Sequence, residues 1–67
     1  MKLKKHQPDY DIDDFLSPTH GDFKDKIGRV TEINIGPWGI HYGLVDLPCS
    51  WGKVLYYKQD EVRPAKL

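Results

Sequence analysis

The chain has a single cysteine, Cys49, and a thiol can act as a nucleophile only as the thiolate, beside a base and an oxyanion site. His41 and Asp46 are the candidate base and orienter. On one β-strand they would lie five residues and about 17 Å apart, on opposite faces, so they do not converge on one reacting atom. Zinc meets a similar obstacle. His6, His20, His41 and Cys49 follow one another at spacings of 14, 21 and 8, which fit no zinc-site pattern. Asp9-x-Asp11-x-Asp13 opens with calcium-loop spacing. Its sixth position is Asp14 rather than Gly and its twelfth is His20 rather than Glu, so the turn and the bidentate ligand are both missing. The expectation is therefore no enzyme, no metal and no cofactor: surface imidazoles, a half-buried thiol and a solvated acidic segment.

Aromatic side chains carry more information. Tyr10, Phe15, Phe23, Trp38, Tyr42, Trp51, Tyr56 and Tyr57 make up 12% of 67 residues, more large rings than so small an interior can hold. Trp38 falls between Pro37 and Gly39 in a turn, and Trp51 follows a loop. Rings left at a surface supply large contact area for few rotatable bonds, which is why interfaces recruit them. Trp38, Tyr42, Trp51 and Tyr56 are the residues expected to bind a protein partner. Single-stranded nucleic acid is the alternative, since bases stack on aromatics beside cations. Its contacts would be Arg29, Lys53, Lys58 and Arg63, diluted by Glu32, Asp46, Asp60 and Glu61.

The elements that must position these residues are short strands. At 7.8 kDa there is room for one small domain with a thin core, because a chain of this length buries only about 60% of its unfolded surface. Ten Lys plus Arg balance ten Asp plus Glu, which argues against broad electrostatic binding to nucleic acid or to an anionic membrane. With one cysteine, no internal disulfide forms, and a reducing compartment, the cytoplasm, is expected. No apolar run reaches the roughly 18 residues of a membrane span. Residues 1–20 form a polar N-terminal segment, loose or lying along the domain, in which Tyr10–Leu16 alternates weakly enough to add one strand. Residues 21–67 make the domain proper.

No window keeps a helical apolar stripe free of Gly or Pro, whereas period-two runs are frequent. Lys26–Ile35 and Ile40–Leu47 read as strands joined by a Gly36-Pro37-Trp38-Gly39 turn. Trp51–Tyr57 is a third strand and Gln59-Asp60-Glu61 a single 3₁₀ turn. Val62–Lys66 is a last short strand with Pro64 at an edge.

The succession Lys26-Ile27-Gly28-Arg29-Val30-Thr31-Glu32-Ile33, Tyr42-Gly43-Leu44-Val45-Asp46-Leu47, Val54-Leu55-Tyr56-Tyr57 and Asp60-Glu61-Val62-Arg63-Pro64 resembles the SH3-like small barrels of bacterial proteins. The resemblance spans about residues 22–66. It implies an all-β fold, a small SH3-like barrel of about five short antiparallel strands. It also implies faces: Gly28, Val30 and Ile33 inward, with a bulge near Thr31–Glu32 because strict alternation would split Val30 from Ile33. On the next strand Gly43, Val45 and Leu47 point inward and Tyr42, Leu44 and Asp46 outward. Leu55, Tyr57 and Val62 complete the core, with Lys53 outward. Such barrels serve as accessory subunits and binding modules, so the expected function is a non-enzymatic adaptor that holds a protein partner on its aromatic surface.

Overall fold

The computed structural model describes residues 7–48 and 51–66. Strand β1 covers Phe15–Pro18, β2 Gly28–Gly36, β3 Gly39–Val45, β4 Leu55–Lys58 and β5 Val62–Pro64, with a 3₁₀ turn at Gln59–Glu61 between the last two. All pairings are antiparallel, in one five-stranded sheet of order β4-β3-β2-β1-β5. The all-β expectation holds, and the described residues contain no α-helix.

The β2–β3 hairpin organises the sheet. Val, Ile and Thr favour the extended backbone along β2, and Gly36 pairs with Gly39 around the Pro37-Trp38 turn. Pro37 presets the turn's first φ, and Gly39, at φ +116°, takes a conformation that a side chain would resist. The expected bulge is present: register shifts between Val30 and Glu32, so Val30 faces Leu44 while Ile33 faces Tyr42. That register reverses the expected faces of β3. Residues directly opposite share a face, so inward Val30 and Ile33 bring Leu44 and Tyr42 inward with them. Leu44 and Tyr42 are completely buried, and Val45 is only partly covered. The bulge on β2 absorbs the odd residue, leaving Ile40, Tyr42 and Leu44 in plain alternation on β3. Asp46, at φ +67°, then breaks the alternation and returns Leu47 to the core as expected.

Leu16, Val30, Ile40, Tyr42, Leu44, Leu47 and Val62 form the core, and Leu55 and Tyr57 pack against it as expected. The N-terminal strand begins later than Tyr10–Leu16 suggests. Leu16, Ser17 and Pro18 are buried between β2 and β5, where they tie the two ends of the described chain into one sheet. Pro18 offers no N–H, and its carbonyl accepts from Asp25 N–H at 3.1 Å. The last strand stops at Pro64, on the sheet's outermost strand. No helix among the described residues is long and apolar enough to cross a membrane.

Candidate interaction surface

Alternation along β2, β3 and β4 places Glu32, Asn34, His41, Gly43, Tyr56 and Lys58 on the face away from the core. The pairings Glu32–Gly43–Tyr56 and Asn34–His41–Lys58 make two cross-strand rows. Gly43 decides the first row. A Cβ there would lie 2.7 Å from Val54 Cγ1 and 3.1 Å from Tyr56 Cε1. Without one, the Tyr56 ring crosses the middle strand, and its hydroxyl donates to Glu32 Oε1 at 2.9 Å. That bond to a carboxylate raises the Tyr56 pKa above its ordinary value.

Trp38 stands at the end of the same face. Its indole lies on Gly36, where a Cβ would come within 2.7 Å of Cζ2. The rings of Trp38 and Tyr56, 71% and 51% exposed, wall a concavity of about 320 Å³ floored by Asn34 and His41. His41 Nδ1 is buried there without a hydrogen-bond partner. On its other side Trp38 borders a second hollow of about 400 Å³, lined also by Asp9, Lys58 and Asp60.

Tyr42 belongs elsewhere. Expected among the partner-binding rings, it is wholly buried, for the register reason given above. Its hydroxyl accepts from the N–H groups of Asp9 and Tyr10, at 2.9 and 3.2 Å, and donates to Gln59 Oε1. The Tyr10 ring meets it edge-on, with centroids 5.5 Å apart. Burial raises the pKa of Tyr42, and the two N–H donors partly oppose the shift. Burial, then the Asp9 charge, raises Tyr10.

Trp51 is 89% exposed and lines neither hollow. It sits at φ +58° beside Gly52 at +76°. That left-handed backbone costs a bulky residue roughly 1–2 kcal/mol.

The four cations expected at a nucleic-acid surface do not form a free patch. Arg29 donates to Asp13 at 3.0 Å and to Asp46 at 3.4 Å. Arg63 is bound to Asp25, whose pKa this hydrogen bond lowers. Lys53 is exposed, and Lys58 borders the hollow beside Trp38. Glu61 accepts from Lys58 N–H at 2.9 Å, which lowers its pKa, and His20 Nε2 adds to this from 3.4 Å.

The residues considered for catalysis and metal binding are dispersed. His41 lies in the aromatic concavity, whereas Asp46 is held by Arg29. Cys49 and His6 lie outside the described residues. In the acidic segment, Asp13 is engaged by Arg29 and Asp14 caps the Asp11 N–H at 2.8 Å. Among the described residues, no three His, Cys, Asp or Glu side chains group to hold a metal ion. Sequence reasoning missed Glu32, Asn34 and His41 as neighbours of Trp38 and Tyr56. The signal was present, because a two-residue hairpin loop at Pro37-Trp38 already sets Asn34 opposite His41. Comparison with family models, curated proteins and solved structures finds no match to this chain.

Proposed function

We propose that this protein is a non-enzymatic adaptor or accessory module of the cytoplasm, built as an SH3-like small barrel, that binds a protein partner on the outer face of β2, β3 and β4. The strand order, with a 3₁₀ turn leading into the last strand, supports the SH3-like reading. One observation carries the functional reading. Trp38 and Tyr56 are exposed, yet each is held from one side, by Gly36 and by Glu32 respectively, with a concavity between them. Rings already held in place lose little entropy when a partner covers them. Trp51, more exposed still, is a second anchor beyond the opposite end of β3. A nucleic-acid surface has less support, since both arginines already hold carboxylates.

The test is affinity purification from the source cells with three baits: the wild type, Trp38→Ala, and Lys24→Ala as an exposed control. Proteins retained by the wild type and the control but lost from Trp38→Ala are the expected result. Identical retention on all three baits overturns the reading. So does retention of nucleic acid on all three baits that rising salt abolishes.

A further inference from the structure

The charges around Trp38 are lopsided in a molecule whose total charge is zero. Asp9 and Asp60 border the hollow on one side of the indole, and Glu32 holds Tyr56 on the other. No ion pair engages any of these three carboxylates among the described residues, whereas both arginines are tied to other aspartates. Among the described residues, Lys58 is the one lysine bordering either concavity. Among the described residues, three carboxylates without an ion pair stand against one ammonium around Trp38 and Tyr56.

From this charge pattern we infer that the aromatic face docks a basic segment of a protein partner, with an arginine side chain seated between Trp38 and Tyr56. The inference rests on the adaptor reading and narrows it to one chemistry. A wholly apolar side chain in the concavity would cover Asn34 and His41 without giving them partners, which is unfavourable. An acidic segment would meet the three carboxylates. A guanidinium meets the carboxylates and gives Asn34 a partner. Its plane stacks on an indole or phenol face, while its five N–H donors reach the Asn34 amide oxygen and the Glu32 carboxylate beside it. Glu32 can accept while keeping the Tyr56 hydroxyl, since a carboxylate has two oxygens and several lone-pair sites. Asp9 and Asp60 outnumber Lys58 around the second hollow, so a further basic residue of the partner finds its carboxylates past Trp38.

The experiment presents the full chain to a random twelve-residue peptide library and sequences the peptides retained. The expected result is enrichment of arginine. A selected peptide should bind about tenfold more weakly to Trp38→Ala, which loses the stacking surface. It should also bind several-fold more weakly to the double variant Glu32→Gln, Asp60→Asn, and on raising NaCl from about 50 to about 300 mM. Glu32→Gln retains an acceptor for Tyr56, so a loss there reports charge rather than a displaced ring. Selection of peptides without a cation, or of none, overturns the inference, as does affinity indifferent to the double variant. The adaptor reading is decided separately by Trp38-dependent retention of cellular proteins. Cation-free peptides that still require Trp38 would sink the arginine assignment and leave the adaptor standing.

Discussion

Two aromatic pairs, each anchored by one strand tyrosine, meet opposite fates. Tyr10 and Tyr42 make an edge-on contact under the sheet, with the Tyr42 hydroxyl stitched to the N-terminal segment and to the 3₁₀ turn. Trp38 and Tyr56 stand on the outer face, each braced from one side and open on the other. Both pairs combine a ring with a hydrogen-bonding handle, as tyrosine and tryptophan generally do. What differs is the environment. The inner pair completes the core, and its hydroxyl satisfies chain groups that burial would otherwise orphan. The outer pair satisfies almost nothing of the chain's own, which leaves its surface available.

Truncation should separate the pairs most sharply. Tyr42→Ala removes a fully buried ring, at a cost of about 3–5 kcal/mol. A core of this size supplies only about 3–5 kcal/mol in total, so the variant should be largely unfolded at ambient temperature by circular dichroism. A cooperative melt near the wild-type midpoint would show that the inner pair is not structural.

Alkaline titration ranks next. All four tyrosines have pKa values raised above the ordinary figure, Tyr10, Tyr42 and Tyr57 chiefly by burial and Tyr56 by its bond to Glu32. A hydroxyl whose folded pKa exceeds its unfolded value contributes stability below the unfolded value, near 10, and loses it as pH rises through the folded value. Ionisation of Tyr42 should therefore coincide with unfolding above about pH 10. Tyr56 should ionise in the intact fold, and Glu32→Gln should lower its midpoint without moving that of Tyr42. Absorbance and circular dichroism followed together check both statements.

Gly43→Ala comes third. The added methyl meets Val54 Cγ1 and Tyr56 Cε1, and this crowding should cost about 1–3 kcal/mol. It should also free the Tyr56 hydroxyl from Glu32, seen as a return of its pKa toward the ordinary value, with the inner pair unchanged. The smallest effect belongs to Trp38→Ala. Removing so exposed a ring should move stability by no more than about 0.5 kcal/mol in a denaturant melt. A larger loss would make Trp38 a structural residue like Tyr42 and remove the contrast between the pairs.

Much of this molecule was legible before any coordinates. β-branched and aromatic runs broken by Gly and Pro specify short strands, because backbone preference and turn chemistry act over only a few residues. The Pro37-Trp38 hairpin and the 3₁₀ turn at Gln59–Glu61 follow from such local signals, whereas the bulge at Val30–Glu32 was implied by the faces that the resemblance to small barrels assigned. Trp38, Trp51 and Tyr56 were likewise legible as rings that the core would not absorb. Which face of β3 turns inward, and hence the burial of Tyr42, depends on the register it shares with β2, which the two-residue loop carries and alternation along β3 by itself does not. The tertiary structure alone decided that Leu16, Ser17 and Pro18 fill the gap between β2 and β5. It also decided that Asp13, Asp25 and Asp46 spend their charge on arginines while Asp9, Glu32 and Asp60 do not. Composition counts charges, but only the packed chain sets which of them lie within reach of one another, because electrostatic pairing falls off over a few ångströms of water.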